Sequence, residues 1–264
     1  MTTLDAVGGS FDFGRVVQRT FKVVGQNLGL FALSALVLVS TPIFVGTVVS
    51  LKSRLAGDFF SVGLVAGTIV ATFGSLILQA LVVHTVIARM NGRAVGFGDS
   101  LSVALRFALP LLGLGIIQGL GVMIGLLLLV VPGVILSVMW SVTTPSLIVE
   151  KRGIFESLQR SRDLTRGHRW SIVGLFLVYM VLSMIVGAVI GGVSAAAGFS
   201  TLRGATPSGA LDVVTPMVLI STFLSALVNG AQGVLVAAGV ASIYYELRTT
   251  KEGVPPEQMA AVFD

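Results

Sequence analysis

The sequence predicts an all-α integral membrane protein with six transmembrane helices, and three observations carry that expectation. Charged residues are only 11% of the chain, against roughly 25% in an ordinary soluble domain, too few to clothe a water-facing surface. Five long stretches contain no Asp, Glu, Lys or Arg. The 17 Lys and Arg are shared unevenly between the segments that separate those stretches, as orientation by positive charge requires. The mean hydropathy of +0.98 agrees.

The charge-free stretches are 23–51, 59–88, 107–149, 170–202 and 213–245. A spanning helix needs about 20 apolar residues. The third stretch has 43 and would be about 65 Å long as one helix, twice the ~30 Å hydrocarbon core. Pro132-Gly133 lies within it. Proline ends a helix and glycine permits a turn, so two helices joined there by a tight hairpin are expected. The predicted spans are 28–51, 60–88, 107–131, 133–149, 170–198 and 214–245, in one polytopic domain over 1–264 with no separate catalytic domain. The first stretch is too long, and starts too far from Met1, for a cleaved signal peptide. Runs of this length also lack the alternation of barrel strands.

Amphipathic interfacial helices are expected before helices 1, 3 and 5. Their segments, FGRVVQRTFK from Phe13, FGDSLSVALR from Phe97 and FESLQRSRDL from Phe155, each open with Phe. In the first, Phe13, Val16, Val17, Thr20, Phe21 and Val24 fall on one helical face, with Arg15, Gln18, Arg19, Lys22 and Gln26 on the other. That is the spacing of a helix lying in a membrane surface. Internal repetition and ordinary linker amphipathicity both account for the likeness.

With the N-terminus inside, fourteen Lys and Arg fall inside. Only Lys52, Arg54 and Arg203 fall outside. The bias places both termini in the cytoplasm, in a bacterial cytoplasmic (inner) membrane, and favours an even number of spans.

From Val131 to Trp170 the chain reads VPGVILSVMWSVTTPSLIVEKRGIFESLQRSRDLTRGHRW. A Pro-Gly hairpin, a Trp and a Pro in the next helix, a Glu at its end and an LxRSxxLTRGxRW block follow in order. This resembles the membrane domain of glycerophosphoryl diester phosphodiesterases and the related free-standing bacterial membrane proteins. Some members carry a catalytic domain after the membrane domain. This chain ends at Asp264, about twenty residues past its last stretch. The resemblance therefore implies a membrane module and does not imply hydrolysis.

No catalytic constellation is found: Cys is absent, there are two His, and neither HExxH nor GxSxG occurs. No metal and no cofactor are expected. Arg160, Arg162, Arg166, His168 and Arg169 cluster before helix 5. They read either as anionic-lipid contacts, each basic group contributing about 1 kcal/mol, or as topology charges alone. Glu156 and Arg160 have the spacing of a helical ion pair, and Gly167 is expected to break that helix ahead of Trp170. Glu150 and Glu246 stand at the ends of helices 4 and 6, with Lys151, Arg152 and Arg248 as candidate partners. Inside the stretches, Gln79, Gln118, Asn229 and Gln232 either line a path or hydrogen-bond between helices. His84 reads as a proton relay, a headgroup contact or an interfacial His. GxxxG spacings at Gly63/Gly67, Gly115/Gly119, Gly121/Gly125 and Gly187/Gly191 suit close helix packing.

Two functions remain open: a non-enzymatic protein that organises lipid or partner proteins at the cytoplasmic face, or a small transporter or lipid-handling protein with a site between its helices. Membrane lipids with anionic headgroups are the expected partners, a protein partner or a homo-oligomer is compatible, and nucleic acid is not expected.

Overall fold

The computed structural model describes residues 11–55, 62–93, 95–203 and 215–253. Among these the regular structure is helical, with no strand. Six helical stretches are long and apolar enough to cross a membrane: Leu28–Ser53, Val62–Met90, Phe97–Leu128, Val130–Val149, Arg169–Val193 and Pro216–Glu252. The first residues of the second and sixth predicted spans, 60–61 and 214, lie outside the described residues.

The chain opens with α1 (Phe13–Gln26), capped by Asp12, whose carboxylate accepts from the Arg15 amide at 3.1 Å. Asn27 ends it and donates its side chain to the Val23 carbonyl at 2.9 Å. Then come α2 (Leu28–Ala35), a π-helical turn (Leu36–Ser40) and α3 (Thr41–Leu55). Pro42 accounts for the π turn: it has no N–H to offer the Leu38 carbonyl four residues back, so the hydrogen-bond ladder has to widen there. Thr41 Oγ1 donates to the Leu36 carbonyl at 2.8 Å.

α4 (Val62–Met90) and α5 (Phe97–Leu128) follow. The segment from Phe97 is not a separate interfacial helix. It forms the first turns of α5, which runs unbroken through Pro110. Nothing between Phe97 and Pro110 interrupts the ladder, and Asp99 suits the positive end of a helix.

The α5–α6 hairpin turns at Leu129, which is fully extended (φ −167°, ψ 145°), and not at Pro132-Gly133. Pro132 instead occupies the first turn of α6 (Val130–Met139), where a missing N–H costs nothing. Gly133 faces α5: a Cβ there would sit 2.8 Å from the Leu126 amide, and one on Gly125 would sit 2.9 Å from the Gly133 Cα. The fourth span is itself broken, at Trp140–Val142, before α7 (Thr143–Val149). Next are α8 (Ile154–Thr165), α9 (Arg169–Arg203) and α10 (Pro216–Glu252). α10 continues past the apolar stretch because Arg248 Nε meets Glu252 one turn on, at 3.0 Å.

Contacts divide the chain into two compact units. Unit 1 is Met1–Leu28, Gln79–Phe176 and Leu235–Asp264; unit 2 is Gly29–Leu78 and Leu177–Val234. All fourteen basic residues assigned to one side of the membrane belong to unit 1, and Lys52, Arg54 and Arg203 belong to unit 2. In unit 1 the last turns of α4 (80–88), all of α7, and most of 237–247 on α10 are buried. Unit 2 closes at glycines: a Cβ on Gly67 would lie 2.7 Å from the Gly46 Cα, and one on Gly74 would lie 1.8 Å from the Leu38 carbonyl oxygen.

Candidate functional site

The site is built around the break in the fourth span. Pro145 is the third residue of α7, and its ring cannot follow a helical residue 141 without a clash. The chain therefore leaves the helix at Trp140 and re-enters at Thr143. The freed backbone groups find side chains. Gln118 Nε2 of α5 donates to the Trp140 carbonyl at 2.8 Å and to Thr143 Oγ1 at 3.1 Å. Thr143 Oγ1 donates to the same carbonyl at 2.7 Å. From α8, Ser161 Oγ accepts from the Val142 amide at 3.2 Å and donates to the Met139 carbonyl at 2.8 Å. Ser157, Ser161 and Thr165 form a fully buried hydroxyl stripe on α8, so this helix is seated by polar fit.

A second lock holds the far end of α7. The Glu150 side chain, 8% exposed, meets Arg152 Nε at 2.6 Å and Arg160 Nε at 2.9 Å. It also accepts from the Tyr244 hydroxyl at 2.8 Å. Burial pushes its carboxyl up, but the hydrogen bonds from Arg160 and Tyr244 and the charges of Arg160 and Arg152 outweigh that and hold it below the usual carboxylate range. Arg160 also pairs with Glu252. Glu156 is not its partner; Glu156 Oε2 accepts from the Gly153 amide at 3.4 Å, as in a capping box. Glu246, 2% exposed, meets Arg15 Nη2 at 2.8 Å and Arg19 Nη1 at 2.6 Å, which fastens α1 to α10.

With Arg160 spent on carboxylates, three of the clustered arginines remain together. Arg162, Arg166 and Arg169 line a hollow of about 710 Å³ with Trp140, Met139 and Asp163. Gly167, at φ +92°, makes the left-handed turn that lets Arg169 open α9 here. The positive end of that helix dipole thus lies at the hollow. Arg169 Nε is buried without a hydrogen-bond partner. His168 is not in the lining: its ring lies 5.7 Å from that of Phe11. Burial and then the charge of Lys251 hold it below the ordinary His value. Trp170 is 87% exposed.

The intramembrane polar residues are divided between the units: Gln79, His84 and Gln118 belong to unit 1, Asn229 and Gln232 to unit 2. His84 is buried, with Nδ1 3.3 Å from Ser100 Oγ, and Ser100 Oγ accepts from Thr85 Oγ1 at 3.0 Å. Asn229 turns back on its own helix, donating to the Ser225 carbonyl at 2.8 Å. Gln79 and Gln232 are half-buried. Among the described residues no group of three or more His, Asp or Glu is placed to hold a metal ion. The hydroxyls that dock α8 went unread in the sequence. Their signal was the four-residue spacing of Ser157, Ser161 and Thr165, on a face distinct from that of Arg162 and Arg166.

Six apolar helices and a basic belt define a multi-pass membrane protein. A family described as a domain of unknown function (DUF7847) matches residues 80–247, more than half of the chain, and the chain belongs to it. A UPF0259 membrane protein of Pectobacterium carotovorum subsp. carotovorum (strain PC1) is 24% identical over 158 residues, 60% of this chain and 62% of that protein. The chain thus spans about six-tenths of the length of the curated relative it matches. No solved structure matches the chain. These likenesses support a family of bacterial membrane proteins.

Proposed function

We propose that this is a non-enzymatic membrane protein that organises anionic phospholipid at the cytoplasmic face of the bacterial inner membrane, with both termini in the cytoplasm. The observation that carries the reading is the hollow lined by Arg162, Arg166 and Arg169. Guanidinium groups match phosphate oxygens as hydrogen-bond forks, and Asp163 offsets only one of the three charges. Arg160 drops out of the lipid-contact set because Glu150 and Glu252 neutralise it. The likeness of 131–170 to phosphodiesterase membrane domains contributes an architecture to this reading and no chemistry. The transporter alternative draws on the broken fourth span, since discontinuous helices build transporter sites. Here, however, Gln118, Thr143 and Ser161 already occupy groups at the break.

The test is lipid mass spectrometry on purified wild type and an R162Q/R166Q/R169Q variant, expressed in membranes that contain phosphatidylglycerol. Removing three arginines takes away up to about 3 kcal/mol of surface attraction. Retained phosphatidylglycerol should therefore fall steeply in the variant, and in wild type as salt rises. Equal lipid in both proteins defeats the reading. So does wild-type labelling of a cysteine placed at Gly153 by an impermeant thiol reagent added outside, because the hollow would then face the wrong way. Elution of lipid from wild type by millimolar inorganic phosphate alone would identify a free-phosphate site instead.

A further inference from the structure

Trp140 lines two hollows. One is the basic hollow. The other is an apolar groove of about 650 Å³ on the α5–α6 hairpin, walled by Gly119, Val122, Met123, Leu126 and Leu127. Two polar residues border the groove, and both are already engaged. Gln118 donates to the helix break, and Ser137 Oγ donates to the Val134 carbonyl at 2.8 Å. An occupant needs only apolar surface in the groove, and acceptor oxygens at the arginines beyond Trp140.

The dimensions narrow the choice. From Gln118 to Leu127 the groove follows α5 for about 14 Å, at ~1.5 Å per residue. α6, which carries Ser137 and ends beside Trp140, has 10 residues and is about 15 Å long. Each length is of acyl-chain scale, half of a ~30 Å hydrocarbon core. Because Trp140 borders both hollows, a lipid whose phosphate meets the arginines can lay a chain past the indole and along the groove.

We propose that the two hollows are one site for a single anionic phospholipid, with its phosphate at Arg162, Arg166 and Arg169, one acyl chain in the α5–α6 groove, and the Trp140 indole between them. This rests on the headgroup reading above and adds the chain to it. The indole is seated by Gly121, where a Cβ would lie 2.5 Å from Cζ3 and 2.6 Å from Cη2 of the ring. Bulk lipid tails are as apolar as leucine, so the groove contributes fitted packing, not hydrophobic transfer. It distinguishes a held lipid from one that only passes along the surface.

Gly119 makes the test clean, because a Cβ there meets nothing within 4 Å. A side chain at this position therefore starts into open space on the groove wall. Native mass spectrometry would follow titration of dioleoyl-phosphatidylglycerol into wild type, Gly119→Phe and Met123→Trp in neutral detergent. Water-soluble dibutyryl-phosphatidylglycerol, too short to fill the groove, would be titrated alongside. Both groove variants should bind the long-chain lipid about fivefold more weakly (about 1 kcal/mol) and the short-chain lipid as wild type does. Unchanged long-chain binding in both, with the arginine dependence intact, overturns the two-part site and leaves the headgroup reading standing. Loss of short-chain binding in both, at an unchanged melting temperature, also overturns it. Indifference of both lipids to R162Q/R166Q/R169Q removes the headgroup reading itself.

Discussion

In unit 1 two glutamates, Glu150 and Glu246, are sunk to 8% and 2% side-chain exposure, and each is met by two arginines. In unit 2 the close approaches are made where side chains are missing, at Gly46 against Gly67, at Gly74 against Leu38, and at Gly230, where a Cβ would lie 2.6 Å from Ser40 Oγ. Both solutions bury backbone without exposing apolar surface to water, but they fail differently. An ion pair is lost by removing a group, and a glycine contact by adding one. Among the described residues, fastening by ion pairs is concentrated in unit 1, which also holds the basic hollow and the helices α1 and α8.

The largest effect should come from Glu150→Ala. It leaves the half-buried Arg160 with one of its two carboxylates and takes away the acceptor of the Tyr244 hydroxyl. Removing one partner of a buried pair costs about 3 kcal/mol, read as a drop in melting temperature in detergent. The pH dependence gives a second handle. The folded-state carboxyl sits below its ordinary value of 4.5. Its contribution is therefore complete above that pH and is lost as pH falls through the folded value. The wild-type and variant stability curves should converge in acid, and curves that stay parallel would mean that Glu150 does not act through its charge. A smaller effect belongs to unit 2. Gly74→Ala drives a methyl into the Leu38 carbonyl, which should cost about 2 kcal/mol with no change in pH profile. Wild-type stability in this variant would mean that the π turn yields easily. Smallest is Gln118→Leu, which frees the Trp140 carbonyl but leaves it Thr143 Oγ1. A loss of about 0.6 kcal/mol is typical of such bonds between membrane helices, and hydrogen exchange at Val142 and Thr143 should rise more visibly than the melting temperature falls.

The six apolar helices were legible because length and hydropathy are local properties. What escaped the sequence depends on partners far along the chain. Pro145 announces a break in the fourth span, but only Gln118 and Ser161, 22 and 19 residues distant from their backbone partners, make that break tolerable. Arg160 looks like its neighbours in a row of basic residues, and what separates it from Arg162 and Arg166 is the meeting with Glu150, 10 positions back, and Glu252, 92 positions on. The Pro132-Gly133 pair was read as the hairpin, yet it only narrows the approach of α6 to α5, and the turn fell to Leu129, which has no turn propensity of its own.

That turn has a bearing on biosynthesis. Leu127 to Val131, around the tip of the hairpin, are about two-thirds or more exposed and include no polar side chain. In the proposed orientation, with both termini in the cytoplasm, the sequence segments that join the first to the second span and the fifth to the sixth cross as well, and they carry Lys52, Arg54 and Asp58 in one case, Arg203 and Asp212 in the other. Each of those must take hydrated charge through hydrocarbon, at about 2.5–3.5 kcal/mol per charged residue on the insertion scale. The α5–α6 hairpin carries none, and Pro132 leaves its turn one amide fewer to desolvate. During insertion it can partition from the translocation machinery as a preassembled pair, and the work of crossing falls on the helices to either side.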